Sequence, residues 1–218
     1  MRIPRVLALS LITALPPALA AQITFESAAL EEVLDSGADA FGWALDIDGD
    51  TAAVGSVAYA AGVGHVQLFE RSGSTWTAGQ TLFASDGMPG DSFGRALALE
   101  GDELLIGAPF AQPGGLFAAG AVYVFRREAG VWSEVAKLVA SDSVESAQFG
   151  VELAIEGDLA VAAAPLHPTG PTSRGHVYVL ERISGVWTEA QTLIGDLSAQ
   201  PEGYATTVWP HNTHAAIA

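Results

Sequence analysis

Two short groups of residues in this chain have the types and spacing that metal binding requires. The acidic run Asp46-x-Asp48-Gly49-Asp50 offers the carboxylate oxygens that hold calcium in EF-hand-like loops. Its glycine comes too early for that turn, and Val57 stands where a bidentate glutamate belongs. The pair His211-x-x-His214 offers two imidazoles, but no third ligand with suitable spacing accompanies it. We therefore expect no metal or other cofactor, and calcium is the one ion that the acidic run leaves open.

The remaining acidic residues are the obvious candidates for acid–base chemistry. Hydrolysis of a polysaccharide needs two facing carboxylates, but most acidic residues here recur at equivalent places and are more simply structural. The recurring ones are Asp50, Asp102, Asp158, Asp86, Asp91 and Asp142. Asp35, Asp39 and Glu202 fall outside this pattern and would be the ones to examine in a hydrolase or lyase. No phosphate-binding loop, nucleophile elbow or zinc-protease helix is present, so we predict a protein that is not an enzyme.

Three tryptophans suggest either carbohydrate stacking or packing. Trp76, Trp132 and Trp187 each precede a leucine by six residues. Because this offset never changes, we expect the indoles to pack an outer strand or a joint between repeats. His65 and His176 also share one repeat position, which favours a role in the repeat pattern over catalysis.

The elements that position these residues form a repeat of about 50 to 56 residues. Each unit has a Phe-Gly pair, then an aspartate nine residues after the phenylalanine, then a glycine followed twelve residues later by tryptophan. The Phe-Gly pairs are Phe41-Gly42, Phe93-Gly94 and Phe149-Gly150, and the second glycines are Gly64, Gly120 and Gly175. A fourth unit begins with Tyr204.

Only one segment of the unit varies in length. From Gly55, Gly107 and Ala163 to the following repeat glycine, the distances are nine, thirteen and twelve residues. Surface loops tolerate length changes that packed segments do not. We therefore predict loops at residues 56–63, 108–119 and 164–174, all emerging on one face.

Each unit is predicted to form four short antiparallel strands. In the second unit these are residues 93–99, 104–108, 121–125 and 131–138, and Gly101-Asp102 supplies the tight turn between the first two. One possible helix lies at residues 27–34. Repeated four-stranded units predict an all-β fold of β-propeller blades, with units at about 30–82, 83–138 and 139–193 and a partial unit at 194–218.

The repeat resembles the FG-GAP repeat of integrin-like β-propellers, and most closely its bacterial version. The segments that carry the resemblance are Gly90-Asp91-Ser92-Phe93-Gly94, Ile106-Gly107-Ala108-Pro109, residues 120–125 and Gly130-Val131-Trp132. It covers residues 30–196, with departures at Gly55-Ser56-Val57 and at Ala163 before Pro165. The resemblance implies structural roles for Phe41, Gly42, Asp50, Trp76, Phe93, Gly94, Asp102, Gly107, Pro109, Trp132, Phe149, Gly150, Asp158, Pro165 and Trp187.

The calcium function of integrin blades does not follow from this resemblance. In that family the calcium-binding aspartates lie between the Gly-Ala-Pro segment and the next glycine-led strand. The corresponding intervals here, residues 110–119 and 166–174, contain no aspartate or glutamate.

The composition favours an exported protein. Residues 1–20 have two arginines, an apolar run and Ala18-Leu19-Ala20, the order of a secretory signal, so we expect the mature chain to begin near Ala21. Without Arg2 and Arg5 the chain has seven basic against 25 acidic residues, which disfavours nucleic acid and anionic membranes. No cysteine is present and no apolar run is long enough to span a bilayer. We predict a secreted, periplasmic or cell-surface location.

The sequence supplies about three and a half repeats, and Pro210 is expected to interrupt the first strand of the last. Single-chain propellers close with four to eight blades. The chain is therefore expected either to be a truncated form of a longer propeller or to close with a second copy. The favoured function is binding or cell adhesion, with an extracellular protein or glycan held by the variable loops. The alternatives are a hydrolase or lyase acting on extracellular polysaccharide, and a purely structural repeat of a larger surface protein.

Overall fold

The computed structural model describes residues 39–58, 62–169, 172–173, 175–194, 208–211 and 214–217. These residues form strands and turns with no α-helix, and only a single 3-10 turn at Pro113–Gly115. The all-β prediction is confirmed. The candidate helix at 27–34, the signal at 1–20, Asp35, Glu202 and Tyr204 lie outside the described residues.

Three four-stranded antiparallel sheets hold most of the described chain. The first contains β1 (Asp39–Asp48), β2 (Thr51–Ala58), β3 (His65–Ser72) and β4 (Thr75–Leu82). The second contains β5 (Ala96–Glu100), β6 (Glu103–Ala108), β7 (Ala121–Glu128) and β8 (Val131–Leu138). The third contains β9 (Leu153–Glu156), β10 (Leu159–Ala164), β13 (His176–Ile183) and β14 (Val186–Ile194). Two further strand pairs are β11 (Pro168–Thr169) with β12 (Thr172–Ser173), and β15 (Val208–His211) with β16 (His214–Ile217).

Glycines of positive φ close the turn between the first two strands of each sheet. Gly49, Gly101 and Gly157 have φ of 58°, 58° and 60°. Each is the first of two turn residues, where a type II′ hairpin turn takes glycine. The predicted Gly-Asp turns therefore have a direct backbone reason.

The inner strands of the second and third sheets begin later than predicted, at Ala96 and Leu153. The Phe93-Gly94 pair lies in a turn before β5, because the Gly94 and Arg95 N–H groups both donate to the Gly107 carbonyl oxygen, at 3.1 and 3.2 Å. In the second blade the Phe-Gly pair is thus a bend that precedes the inner strand, whereas Phe41-Gly42 lies within β1.

The core lies between the sheets. One buried cluster joins the first and second sheets and includes Leu68, Phe93 and Ile106. Another joins the second and third sheets and includes Val124 and Phe149. Burying one such large side chain contributes roughly 1.5–3 kcal/mol. The sheets are therefore blades packed face to face, and their inner strands β1, β5 and β9 are successive neighbours, followed by β15. The described strands form an incomplete propeller.

The prediction that Pro210 interrupts its strand is wrong, because β15 runs through it and Pro210 pairs with Ala215. Among the described strands β15 is hydrogen-bonded to β16 alone. In such a strand alternate N–H groups point away from the ladder, so proline is tolerated there.

Candidate functional site

The blades present two different ends. In an antiparallel meander, alternate connections lie at the same end of the sheet. The short turns after the first and third strands form one end, here called the turn face. The variable loops and the connections between blades form the other, here called the loop face.

A triad of aspartate, arginine and tryptophan fixes the turn face of every described blade. In the second blade Asp102 accepts a hydrogen bond from Arg127 Nε at 2.6 Å, and the guanidinium lies 5.2 Å from the centre of the Trp132 ring. The other triads are Asp50, Arg71 and Trp76, and Asp158, Arg182 and Trp187. The repeated aspartates are therefore held within the blade by charge-assisted hydrogen bonds.

Glu103 extends this network across the joint between the second and third blades. Its buried carboxylate accepts hydrogen bonds from Arg126 Nε at 2.5 Å and from Trp187 Nε1 at 3.1 Å. Arg182 Nη1 lies 3.3 Å away. The pKa of Arg182 is raised, first by its hydrogen bond with Asp158 and further by the charge of Glu103. A cleft of about 410 Å³ opens beside these groups. Its arginines pair with Asp102 and Glu103, and Glu100 accepts a hydrogen bond from the Gly157 N–H.

The carboxylates of the acidic run at residues 46–50 also make structural contacts. Asp46 Oδ2 accepts from the Leu99 N–H and Asp48 Oδ2 from the Gly101 N–H, each at 2.7 Å. Asp50 pairs with Arg71. Burial raises the pKa of Asp46, and the hydrogen bonds that its carboxylate accepts from the Leu99 and Ile47 N–H groups oppose that rise. The run therefore joins the first blade to the second, and calcium binding there stays untested.

Phe93 and Phe149 are buried at the joints, and Phe41 is half-buried. The glycines around them permit contact of backbone with backbone. A Cβ on Gly107 would lie 1.9 Å from the Gly150 carbonyl oxygen, and one on Gly55 would lie 2.1 Å from that of Gly94. Gly42 lies at the bulge of β1, while Pro109 and Pro165 follow the second strands of their blades at the start of the variable loops.

Two of the three tryptophans, Trp132 and Trp187, lie at the joints as well, whereas Trp76 packs within the first sheet. Trp132 and Trp187 are 3% and 4% exposed, and Trp76 is half-buried. Gln80 of the first blade makes two hydrogen bonds to the Trp132 backbone, at 2.7 and 3.0 Å. A buried indole offers no face to a sugar ring, so stacking at Trp132 and Trp187 does not fit the structure.

The loop face carries the exposed apolar side chains of the variable loops. In the loop at 108–119, Phe110 and Phe117 are exposed while Ala111, Ala118 and Ala119 are buried. Carbonyl groups of Phe117, Ala118 and Ala119 accept N–H hydrogen bonds from residues 146, 148 and 149. The C-terminal part of this loop is thus fixed to the next blade, while the side chains of Phe110 and Phe117 stay exposed.

At each connection between two blades, one glutamate carboxylate and one aspartate carboxylate accept hydrogen bonds. The Glu134 carboxylate accepts from the Ser85 N–H and hydroxyl, both at 2.8 Å, and Glu189 accepts from Ser141 in the same way. The residue after each of these serines is an aspartate that accepts a hydrogen bond from a tyrosine hydroxyl. Asp86 accepts from Tyr123, and Asp142 accepts from Tyr178. Burial, and then the aspartate, raises the pKa of Tyr123 and of Tyr178.

In the third blade two buried histidines adjoin Asp142. His167 and His176 stack with ring centroids 3.8 Å apart. Burial lowers the pKa of His176, and the neighbouring His167 lowers it further, against a smaller opposing effect of Asp142. The His211 and His214 pair falls in β15 and β16, where the two residues are register partners.

Several of these functional contacts were missed from the sequence. The arginines of the triads stand five residues before each tryptophan, a spacing that the repeat would have revealed. The Asp86–Tyr123 and Asp142–Tyr178 pairs also recur at nearly constant separation, 37 and 36 residues. Asp142 with His167 and His176 has no repeat signal, because the other described blades lack the full set.

These features define an all-β repeat protein with the architecture of an incomplete propeller. Residues 76–125 and 132–180 match the family model of the FG-GAP repeat, so these two segments are FG-GAP repeats. Each match begins at the tryptophan of one blade and ends in the third strand of the next, so the sequence unit spans a blade joint. A search of curated proteins gave no match. No helix among the described residues has the length and apolar character needed to cross a membrane.

Proposed function

We propose that this chain is an exported, non-catalytic binding or adhesion module, integrin-like in its repeats, whose ligand surface is the loop face. The observation that carries the proposal is the structural difference between the two ends of the blades. The turn face is held by the same triad in each described blade, whereas the segments that differ in length all lie at the loop face. Variable loops on a rigid scaffold are the usual location of binding residues.

The chemistry of the loops favours an extracellular protein or glycan as ligand. Residues 110–119 and 166–174 contain no acidic residue in a strongly acidic chain. Phe110, Phe117 and Leu166 are exposed there at 37%, 62% and 45%. Exposed phenyl groups on loops that carry no acidic residue of their own suit apolar contact with a protein surface or with the faces of sugar rings.

The test is a substitution matched between the two faces. Phe117→Ser on the loop face is compared with Val131→Ser on the turn face, because these side chains are 62% and 61% exposed. Binding is measured by surface plasmon resonance to immobilised fibronectin, collagen and one neutral and one acidic polysaccharide. We expect Phe117→Ser to weaken binding to at least one of these about tenfold, with Val131→Ser unchanged.

Equal effects of the two substitutions, or binding that survives exchange of all three loops, would refute a ligand surface at the loop face. Release of reducing sugar or unsaturated ends from either polysaccharide would instead favour the hydrolase or lyase alternative. Export is checked in the same preparation by sequencing the N-terminus of protein recovered from a secreting host. A chain that still begins at Met1 contradicts export through a cleaved signal.

A further inference from the structure

Three potential metal ligands meet at the base of the variable loop of the third blade. Asp142 lies in the connection from the second blade, His167 in the loop itself and His176 at the start of β13. The histidines are 5% and 4% exposed, whereas the Asp142 side chain is 44% exposed and provides a path from solvent.

The potential ligand atoms lie close together. Asp142 Oδ2 lies 3.2 Å from His176 Nδ1 and 3.4 Å from His167 Nε2, and all three atoms are within 4.8 Å of one another. Tetrahedral zinc with bonds of about 2.0–2.1 Å places its ligand atoms about 3.4 Å apart. The Tyr178 hydroxyl donates to Asp142 Oδ1 at 2.5 Å and so orients the carboxylate, as outer partners of metal ligands commonly do.

The second blade has a different set of side chains at the corresponding position. There Asp86 Oδ1 accepts from Tyr123, and Asp86 Oδ2 receives the Lys137 ammonium at 2.7 Å. In the third blade the residue paired with the tyrosine is Thr192 in place of Lys137. The third blade therefore has threonine in place of the lysine that lies beside the aspartate in the second blade. It has gained two imidazoles where the second blade has Ala111 and Ala121.

We propose that Asp142, His167 and His176 bind a divalent transition-metal ion of the zinc class, with the remaining coordination position open to water. Imidazole nitrogens with one carboxylate suit zinc, whereas calcium requires six to eight oxygen ligands. The ion fastens the variable loop at 164–174 to the connection that carries Asp142. This inference rests on the geometry of the cluster and is independent of the proposed ligand face.

Coordination requires one ring to move, and it requires His176 Nδ1 to exchange its contact of 3.2 Å with the Tyr178 hydroxyl for the ion. The rings stack at 3.8 Å with 18° between their planes, so at least one must turn for both lone pairs to meet the ion. His167 lies outside any strand, and its Nε2 gives up a contact of 3.1 Å with the Asp142 carbonyl oxygen. We expect this ring to move and His176, fixed in β13, to stay.

The experiment is calorimetric titration of the full chain with zinc chloride, and with calcium chloride in parallel. It is done in a His211→Ala/His214→Ala background, which removes the other histidine pair. We expect one zinc per chain, no comparable calcium binding, and affinity at least about 100-fold weaker after His176→Ala. His65→Ala is the matched control, since His65 occupies the same repeat position in the first blade and is expected to leave zinc affinity unchanged. Absence of zinc binding in the background chain, or an equal loss with His65→Ala, would overturn the proposal.

A second variant distinguishes loss of the metal site from misfolding of His176→Ala. His167→Ala/His176→Ala/Thr192→Lys rebuilds the site on the plan of the second blade, so it should fold without a metal. Zinc should raise the melting temperature of the background chain and leave that of this variant unchanged. A zinc-induced shift that persists in the rebuilt variant would contradict the assignment.

Discussion

At the scale of single residues, carboxylates that the sequence suggested as turn caps or candidate acids are mostly partners in specific contacts. Asp50, Asp102 and Asp158 each hold an arginine. Asp86 holds a tyrosine and a lysine. A carboxylate already engaged by a cation is poorly placed to act as a general acid, so these four aspartates are structural.

The Asp86 contact predicts a pH-dependent contribution to stability. The Lys137 hydrogen bond is the main cause that lowers the pKa of Asp86 below its ordinary value of 3.8, and burial opposes it. The ionised form is therefore favoured in the folded chain. Its stabilisation is present above pH 3.8 and is lost as the pH falls through the lower folded pKa. Because the carboxylate is 56% exposed, Asp86→Asn should cost no more than about 1 kcal/mol at pH 7.

Urea unfolding at pH 7 and at pH 3 measures this contribution. The difference between the wild type and Asp86→Asn should shrink at the lower pH. Lys137→Met should reproduce the loss at pH 7, and combining the two changes should add little. A difference independent of pH would show that the ion pair does not account for the effect.

At the scale of elements, the blade joints depend on glycines that admit a neighbouring backbone. Gly107 faces the Gly150 carbonyl oxygen, where a methyl group would lie at 1.9 Å. Backbone cannot give way as the end of a flexible side chain can. The conserved spacing within the repeat therefore reflects contact of one blade with the next as well as pairing within a blade.

Gly107→Ala is expected to lower the free energy of unfolding by about 2–3 kcal/mol, the usual cost of overpacking. Gly79→Ala is the control, because the nearest atom to a Cβ there is the Leu68 carbonyl oxygen at an ordinary 3.4 Å. Its effect should stay below about 1 kcal/mol. Chemical denaturation of both variants provides the measurement, and comparable losses would rule out the joint as the cause.

At the scale of the whole molecule, the described blades form an arc. The inner strands follow one another as β1, β5, β9 and β15, and β1 carries Leu45 and Ile47 at 73% and 56% exposure. Exposed apolar side chains on an inner strand are a cause of association between chains.

We therefore expect the full chain to self-associate. Light scattering with and without calcium should give a mass above the 22.5 kDa of one chain, rising with concentration. A discrete dimer would indicate that a second copy completes the ring, and a polydisperse mass would favour a propeller that needs further blades. A folded species that stays at 22.5 kDa at every concentration would contradict self-association.

The sequence alone determined the all-β class, the four-stranded unit and the position of the variable loops. It could do so because these depend on local patterns: alternating apolar residues, glycine turns and fixed offsets within about 56 residues. It placed the start of the inner strand too early, since the bend at Phe93-Gly94 is set by hydrogen bonds to Gly107 in the neighbouring strand.

Only the tertiary structure showed which side chains meet across the joints. Glu103 and Trp187 are 84 residues apart, and their contact depends on how the second blade stacks on the third. Asp142, His167 and His176 come together because the connection between blades, the variable loop and the start of β13 meet at the same end of the third sheet. The periodicity of the sequence determines the four-stranded unit, because its strands pair with near neighbours in the chain. The stacking of one unit on the next decides the site, because side chains from different units meet only when their sheets pack.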